Sequence, residues 1–479
     1  MEIIAVTQAG MTAEQVSRSV ADWLATPWHL KFKRPHTDAA RDRQSPVGKL
    51  GKAWMKRSGG DGSWPTWRPI GTRRFRSRRI DPVISKMNGF LPLAALAVGL
   101  LLSACSIPAR GPAVPRADTA RALPLGLANA RFFSDTDPAP LIAEGRAAVQ
   151  REIATMKAAG KPTNPLPPAY YLAVSGGGDD GAFGSGLLNG WTETGTRPQF
   201  KIVTGVSTGA LIAPFAFLGP DYDAELREVY TTMTPDRIFR QRGYSAAIFD
   251  DAMADTTPLA AIIAKHANRA LLDAIAAEYR KGRLLMIAST DLDAQRPVIW
   301  NIGAIAASGH PGALDLVRKI LRASAAIPGA FQPVLIDVEV DGRKYQELHV
   351  DGGAIAQLFL YPPSIDLSET GIQRKRTAYV IRNARLDPDY SEIERRTISI
   401  AGRAVSTMLS ASGHNDVLRT YFIAERDGVA YNLAYIGRDF TVTEKGQFDP
   451  AYMQSLYDYG YNLAKSGAAW HKTPPMLTR

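Results

Sequence analysis

Three glycine-rich segments each follow an apolar run and carry residue types that can perform acyl-transfer chemistry. They are, in chain order, Gly176–Gly181 (Gly-Gly-Gly-Asp-Asp-Gly), Gly205–Gly209 (Gly-Val-Ser-Thr-Gly) and His349–Gly353 (His-Val-Asp-Gly-Gly). Serine becomes a nucleophile when a base takes its proton, an aspartate can be that base, and converging backbone N–H groups stabilise the resulting oxyanion. Together the three segments predict an esterase site.

Ser207 stands between Gly205 and Gly209, after the apolar run 200–206 and before a second apolar stretch, 210–218. This is the order of a nucleophile elbow, in which a strand turns sharply into a helix and exposes the serine hydroxyl. Small residues are needed on both sides because larger side chains would clash in the strained turn. Gly-x-Ser-x-Gly also occurs by chance in glycine-rich chains, but its position between strand and helix favours the catalytic interpretation.

The first glycine-rich segment lies between a predicted buried strand, 170–175, and a helix-like stretch, 182–191. Glycines there allow consecutive backbone N–H groups to converge on an anion at the positive end of the helix dipole. The second and third glycines are expected to be the main donors. The predicted oxyanion hole is formed by Gly176, Gly177, Gly178 and Gly181.

Asp351 follows a short alternating stretch, 344–350, and precedes Gly352 and Gly353, so its side chain is expected to project from a strand end. A carboxylate in that place can meet Ser207 directly. The alternative is an ordinary Asp-Gly turn between two strands. Because a free aspartate is a weak base at neutral pH, the catalytic role predicts partial burial and a raised pKa for Asp351.

In this order the three segments resemble the patatin-like phospholipase family of lipid acyl hydrolases. A fourth segment, 323–333, is similar to the family's Ala/Ser-rich stretch with Pro, Phe and Pro, and we interpret it as scaffold. The resemblance covers about 170–380 and implies an α/β fold, a three-layer α/β/α sandwich with a central, mostly parallel sheet. It also implies a Ser-Asp dyad, with Ser207 as nucleophile and Asp351 as general base, in a phospholipase A-like or lysophospholipase-like ester hydrolase.

Other kinds of site fit parts of this pattern. A dinucleotide-binding loop would need an acidic residue at the end of the next strand, where this chain has the Ser207 segment instead. A phosphate-binding P-loop would need Gly-Lys-Ser/Thr, which does not follow. His414 and His471 lie downstream of both Ser207 and Asp351, so a Ser-Asp-His esterase stays open as an alternative. A non-catalytic envelope lipoprotein that uses the fold for binding is a second alternative.

Asp179 and Asp180 occupy the loop where many family members carry Arg or Lys. We expect both carboxylates to face solvent or to cap the following helix, where negative charge is favourable. His349, two residues before Asp351, shares its strand face and would orient the site or simply pack. The sequence has no His-Glu-x-x-His motif, and we expect neither a metal nor a cofactor.

Composition fits an enzyme, since the chain has 479 residues, 45% of them hydrophobic and 22% charged. The net charge of +11 is concentrated before Met87, where 17 Lys and Arg residues stand against 7 Asp and Glu. The remainder is close to neutral. We therefore expect no nucleic-acid partner.

A run of thirteen apolar residues, 90–102, ends in Leu-Ser-Ala-Cys at 102–105 and is too short for the ~20 residues that span a bilayer. It resembles a bacterial lipoprotein signal peptide, which implies cleavage before Cys105 and acylation of that residue. A buried core helix is the alternative. Cys105 is the only cysteine, which excludes disulfides within the chain. Ser106, where inner-membrane retention would need Asp, favours the outer membrane. Membrane lipids are thus the expected partners, as substrate and as anchor.

The predicted organisation follows from these features. A signal peptide belongs near an N-terminus, so we expect translation to begin near Met87; a real cytosolic extension is the alternative. The segments are a basic non-domain extension (1–86), a lipoprotein signal peptide (87–104), the lipidated cysteine with a flexible tether (105–128), an N-terminal helical segment (129–169), the catalytic core (170–385) and a C-terminal helical part of the same domain (386–479).

Overall fold

The computed structural model describes residues 110–135, 137–242 and 250–478, which belong to one compact unit. The predicted signal peptide, the basic extension and Cys105 lie outside these ranges. Within the described ranges, no helix combines the length and apolar character that crossing a membrane requires.

Strands and helices alternate through most of the domain. The strands are β1 (Arg131–Phe133), β2 (Ala169–Val174), β3 (Ile202–Val206), β4 (Arg240–Gln241), β5 (Ala254–Asp255), β6 (Leu284–Asp291), β7 (Arg296–Asn301), β8 (Val334–Val340), β9 (Arg343–Asp351), β10 (Arg376–Arg385) and β11 (Ala430–Ile436). The α-helices are α1 (Ala139–Ala158), α2 (Gly181–Glu193), α3 (Thr208–Leu218), α4 (Asp223–Thr231), α5 (Pro235–Ile238), α6 (Thr257–His266), α7 (Arg269–Arg280), α8 (Ile302–Ala307), α9 (Ala313–Ser324), α10 (Thr397–Arg426) and α11 (Pro450–Lys465).

The central sheet has the order β1-β7-β6-β3-β2-β10-β11. Within it, the five neighbouring strands β6, β3, β2, β10 and β11 are parallel to one another. Strand β7 runs antiparallel to β6, and the β8–β9 hairpin joins β6 through β9. Strands β2, β3 and β6 are short apolar runs that are buried almost throughout, as expected for parallel strands covered on both faces. The mostly parallel α/β sheet confirms the predicted fold class.

Neighbouring residues of β2 show the three layers, because successive side chains of a strand point to opposite faces. Leu172 belongs to an apolar cluster with residues of α2, α3 and α11. The next residue, Ala173, belongs to a second cluster with residues of α10. Helices therefore cover both faces of the sheet.

Two edge strands, β1 and β11, lie in segments for which we predicted only helices. Strand β1 pairs with β7, and β11 pairs in parallel with β10, so both segments complete the sheet. Helix α10 packs against the core over only part of its length. Its second half packs in the core through Val417 and Ile423, but its first half leaves Met408 62% exposed.

Residues 110–128 correct the prediction of a flexible tether. Arg110 forms an ion pair with Asp293 at 2.6 Å, and Leu123 pairs with Glu339 of β8. Val114 and Ala122 are buried. This stretch is therefore packed against the domain, because its few apolar residues find a surface on the β8–β9 hairpin.

Candidate active site

Strand register explains why Ser207 and Asp351 meet. Val206, the last residue of β3, lies opposite Ala288 of β6. The next residue of β6, Ser289, lies opposite Asp351, the last residue of β9. Strand β9 thus continues along β6 where β3 leaves it, and the two chain segments turn away from β6 at neighbouring positions. Ser207 lies close enough to Asp351 to lower the pKa of its carboxyl group.

The turn at Ser207 has the strained geometry of a nucleophile elbow. Ser207 has φ 54° and ψ −125°, a conformation that non-glycine residues seldom adopt. A Cβ at Gly209 would collide with the carbonyl oxygen of Val174, and one at Gly205 would collide with that of Gly209. Both glycines are therefore required for helix α3 to begin this close to the sheet.

Ser324, at the end of α9, holds the elbow in place. Its hydroxyl accepts a hydrogen bond from the backbone N–H of Ser207 at 3.0 Å and donates one to the carbonyl of Ala288 at 2.6 Å. It is fully buried. The predicted scaffold segment 323–333 therefore contacts the site twice. Ser324 binds the backbone of Ser207, and Phe331 lines the pocket described below.

Asp351 is a buried carboxyl group with few partners. Only 5% of its surface is exposed, and Oδ1 accepts a hydrogen bond from the N–H of Gly353 at 2.7 Å. Burial raises the pKa of Asp351 to about 7, against the smaller lowering effects of the Ser207 and Gly353 hydrogen bonds. The predicted rise in its pKa is confirmed. At neutral pH this carboxyl can both accept and return a proton.

The glycine-rich loop offers fewer oxyanion donors than we predicted. The N–H of Gly176 donates to the carbonyl of Gln357 at 2.9 Å, and that of Gly181 donates to the carbonyls of Gly178 and Asp179. Neither group is free to bind a substrate oxygen. Gly177 and Gly178 have no backbone or side-chain acceptor for their N–H groups within the described residues. Gly178 also has φ 61°, in the left-handed region that favours glycine.

A buried guanidinium beneath the loop is a feature that our sequence prediction missed. Arg382, on β10, donates to the carbonyl of Gly176 at 3.2 Å and is 4% exposed. Burial lowers its pKa to about 10, so it remains a cation at neutral pH. No carboxylate of the described residues lies within ion-pair distance of it. Its positive charge therefore stabilises the loop at the carbonyl of Gly176, which the two aspartates of the loop cannot do.

Two amide side chains complete the support. Asn383 donates to the carbonyl of Ser175 at 2.9 Å and accepts from the N–H of Gly184 at 3.0 Å. The side-chain amide of Gln357 donates to the carbonyl of Gly353, while the backbone carbonyl of Gln357 accepts from the N–H of Gly176. Gln357 therefore connects the turn after Asp351 to the oxyanion loop. The available sequence signal was a polar pair, 382–383, at the end of an apolar strand.

Asp179 and Asp180 neither face solvent freely nor cap helix α2. Asp179 accepts from the N–H of Phe448 at 2.8 Å, and Asp180 accepts from the hydroxyl of Tyr452 at 2.6 Å. Helix α2 has no side-chain cap. Burial raises the pKa of Asp180 to about 7, and burial and Asp179 raise that of Glu444 to about 8. Asp179 and Asp180 thus join the loop to the C-terminal segment, and Asp180 and Glu444 are partly protonated at neutral pH.

An apolar pocket opens at Ser207. It encloses about 870 Å³ of empty space, and Gly178, Ser207 and Thr208 form part of its wall. Leu211 and Phe215 line it one and two turns further along α3. Since an α-helix rises 1.5 Å per residue, the pocket follows α3 for ~12 Å beyond the serine.

The histidines of the triad alternative have other partners. The ring nitrogens of His414 contact the carbonyls of Ser410 and Leu386 at 2.7 and 2.9 Å. His471 pairs through its backbone with Leu433. Across the described ranges, no histidine is hydrogen-bonded to Ser207 or Asp351.

His349 belongs to a buried network behind Asp351. Its Nδ1 contacts the hydroxyl of Ser289 at 2.9 Å, and its Nε2 contacts Glu347 at 3.1 Å. Together with Asp291, these groups bring three possible metal-ligand atoms within 4.8 Å of one another. However, the Arg131 guanidinium donates to both carboxylate oxygens of Glu347. The cluster is therefore a hydrogen-bond network in which the Glu347 carboxylate is already paired with the Arg131 guanidinium.

A strained serine between a parallel strand and a helix, in contact with a buried carboxyl and beside free backbone N–H groups, defines the class of α/β proteins with a nucleophile-elbow site. Residues 172–362 match the family model described as patatin-like phospholipase. This part of the chain is therefore similar to a family of lipid acyl hydrolases. The match confirms the resemblance given by the glycine, serine and aspartate segments.

Two solved structures show a weaker likeness. VipD from Legionella pneumophila aligns over 62% of this chain and 67% of its own, at 11% identity and a TM-score of 0.32. The type III effector protein ExoU aligns over 64% of this chain and 54% of its own, at 13% identity and a TM-score of 0.26. This chain therefore spans about half of ExoU. A comparison with curated proteins finds no match.

Proposed function

We propose that this protein is a serine hydrolase that cleaves ester bonds of phospholipids or other acyl lipids through an acyl-enzyme at Ser207. The observation that supports this most is the contact between the strained Ser207 and the buried Asp351, whose pKa is about 7. This pairing supplies a nucleophile and a base of suitable strength at neutral pH. A dyad needs no histidine, in keeping with the other partners of His414 and His471.

In the first half-reaction, the Ser207 hydroxyl attacks the ester carbonyl carbon while ionised Asp351 takes its proton. The negative charge that forms on the carbonyl oxygen is stabilised by the N–H groups of Gly177 and Gly178. The tetrahedral intermediate then breaks the bond to the alcohol, which leaves with the proton from Asp351. The products are an acyl ester of Ser207 and the lyso-lipid or other alcohol.

In the second half-reaction, Asp351 removes a proton from water as the water oxygen attacks the acyl ester of Ser207. The same loop stabilises the second oxyanion, and its collapse returns the proton to Ser207. A fatty acid is released and the dyad is restored. Both half-reactions require Asp351 to begin ionised.

The apolar pocket supports an acyl substrate. An extended chain advances about 1.2 Å per bond, so the ~12 Å along α3 receive an acyl chain of about ten bonds beyond the serine. No Lys or Arg lines this pocket. The pocket therefore selects the apolar acyl group of the substrate and not the charge of its headgroup.

Hydrolysis of defined lipids tests this function. Phospholipid vesicles with different acyl chains at the two ester positions, and the corresponding lysophospholipids, are incubated with the wild-type protein, and the products are identified by mass spectrometry. We expect free fatty acid and a lyso-lipid, or full deacylation if lysophospholipids are also cleaved. The proposal is wrong if the folded wild-type protein releases no fatty acid, or if Ser207→Ala releases it at the wild-type rate.

We further propose that Cys105 carries the lipid anchor and that the protein is held at the outer membrane of a bacterial envelope. Arg110 lies five positions after Cys105 and is ion-paired to Asp293 just after β6. The end of β6 lies at the same edge of the sheet as Ser207. Since five residues reach at most ~17 Å, an anchor at Cys105 would hold this edge close to the lipid surface.

The anchor proposal is tested by intact-mass measurement of the mature protein from bacterial envelopes. We expect a chain that begins at an acylated Cys105, and a Cys105→Ser variant that is recovered without acyl chains. Separation of inner and outer membranes then gives the location. Residues N-terminal to Cys105 on the mature protein would contradict the proposal.

A further inference from the structure

A second apolar cavity lies at the opposite edge of the sheet from Ser207. It lies between α1 and the amino ends of the parallel strands, and its empty volume of about 990 Å³ is partly open to solvent. We name it the amino-edge cavity, and its apolar wall includes Leu141, Ile142, Ile202, Leu284, Phe359 and Leu367. Strand β3 begins at Ile202 in this cavity and ends just before Ser207. At ~3.3 Å per residue, the two sites lie roughly 17 Å apart.

Helix α1 covers the cavity without filling it. Gly145 lines the cavity in the middle of this helix, at a place where a larger residue would be more favourable for a helix. A Cβ placed at Gly145 has no neighbouring atom within 4 Å outside the helix itself. The space beside Gly145 is therefore open. Concave sites with mostly apolar walls and a few polar groups are typical of small-molecule binding.

Basic side chains surround this apolar space. Arg146, Lys201, Arg374 and Arg376 line it, and no acidic side chain in the described part of the chain does. Glu152 neutralises part of this charge, with ion pairs of 2.9 Å to Lys201 and 2.8 Å to Arg374.

Glu152 thus pairs with two of the four cations, Lys201 and Arg374, and the other two have no carboxylate partner among the described residues. No described acidic side chain lies within ion-pair distance of Arg146 or Arg376. Arg376 does donate to the carbonyl of Ile372 at 2.5 Å, which fixes its position at the cavity. An apolar cavity with surplus positive charge is complementary to a molecule with an apolar chain and an anionic head.

We propose that the amino-edge cavity binds a free fatty acid, with its chain along the apolar wall and its carboxylate at Arg146 and Arg376. A single-chain carboxylate matches the apolar wall and the two unneutralised guanidinium groups. No residue of the Ser207 pocket contributes to this site. The inference therefore goes beyond the proposed hydrolase function and holds or fails independently of it.

The test measures binding of palmitate to the full chain in the Ser207→Ala background, by displacement of a fluorescent fatty acid. Hexadecanol, which has the same chain length and no charge, is the matched ligand. We expect palmitate to bind at least tenfold more tightly than hexadecanol, because it adds charge-assisted hydrogen bonds. The double variant Arg146→Gln/Arg376→Gln should remove this preference and leave hexadecanol binding unchanged.

A second pair of variants locates the site. Gly145→Phe places an aromatic ring in the open space and should weaken both ligands at least tenfold, whereas Gly145→Ala should bind both as before. Thermal unfolding of all variants checks that they fold. Wild-type palmitate affinity in both Gly145→Phe and the double arginine variant would overturn the proposal, as would the absence of any palmitate binding. If the wild-type protein shows no ester turnover but palmitate binds and Gly145→Phe weakens this binding, only the proposed hydrolase function is refuted.

Discussion

The two ends of β3 lead to two apolar sites with opposite electrostatic character. At its carboxyl end, the pocket wall holds the nucleophile Ser207 and Gly178, with the Asp351 carboxyl of raised pKa beside the serine, and no Lys or Arg of the described residues. At its amino end, the cavity wall holds four basic side chains and no acidic residue. Both walls are otherwise aliphatic and aromatic. Apolar content therefore does not separate a reactive site from a binding site here.

What separates them is the backbone at the strand ends. Glycine-rich turns follow β2, β3 and β9 at the carboxyl edge, where they leave N–H groups and a strained serine facing the pocket. At the amino ends of β2, β3 and β6, long side chains supply the polar groups instead. Long cationic side chains suit the binding of a carboxylate, whereas backbone N–H groups suit a short-lived oxyanion.

The largest expected effect separates the two sites completely. Ser207→Ala should lower turnover of p-nitrophenyl esters by roughly 10³-fold or more, because the acyl-enzyme cannot form. Palmitate affinity at the amino-edge cavity should stay unchanged. Gly145→Phe should do the reverse. Steady-state kinetics and fluorescence displacement on the same preparations measure both, and a loss of both properties in either single variant would show that the sites are not independent.

The pH dependence of turnover should reflect Asp351. Its pKa is about 7, and the base must be ionised, so kcat/KM should fall as pH drops through that value. The expected decrease is about tenfold per pH unit below pH 7, or roughly 100-fold at pH 5. A kcat/KM profile that stays flat down to pH 5 would exclude Asp351 as the base.

Removing the charge beneath the oxyanion loop should have a smaller effect. Arg382→Gln should lower kcat by about tenfold with little change in KM, since the guanidinium positions the loop without touching the substrate. Arg385→Gln is the control, because Arg385 lies on the same strand but donates to the carbonyls of Gly437 and Phe440. An equal decrease in both variants, or a change confined to KM, would contradict this positioning role.

Stability should change in the opposite sense to activity. The folded-state pKa of Asp351 is raised, so the neutral form favours the fold, and this stability is lost as pH rises from about 4 through 7. Asp351→Asn should therefore be about 1–4 kcal/mol more stable than wild type at pH 8.5 and little different at pH 4. Urea unfolding at both pH values measures this, with the exposed Asp458→Asn as control. Equal effects at the two pH values would argue against a buried ionised carboxyl.

The smallest expected effects concern the histidines. His414→Ala and His471→Ala should leave ester turnover within about threefold of wild type, because neither imidazole contacts the dyad. Kinetics at pH 7.5 checks this. A decrease of a thousandfold in either variant would restore the Ser-Asp-His alternative.

The contrast between the two edges also explains what the sequence could predict. Strand, glycine turn and helix are consecutive at Ser207, so a local pattern was sufficient to predict the elbow and its strand. Strand β9 and Asp351 were likewise local. The supporting groups, Ser324, Gln357 and Arg382, come from distant segments, and only the register of β3, β9 and β10 brings them together.

Segments without a strong local pattern were less predictable. Strand β1 has three residues and β11 follows a long helix, so neither stands out before the sheet supplies its hydrogen-bonding partner. Residues 110–128 have the composition of a linker, yet Arg110 and Leu123 find partners on the β8–β9 hairpin. The amino-edge cavity was not predictable either, because it depends on how α1 crosses the sheet.

Covalent labelling with a fluorophosphonate, followed by peptide mapping, tests the central claim most directly, because this reagent reacts only with an activated serine. The account predicts one modified residue, Ser207, with labelling fast in the wild-type protein and slowed by at least about 100-fold in Asp351→Asn. Absence of labelling in the folded wild-type protein, labelling at another serine, or an undiminished rate in Asp351→Asn would contradict it.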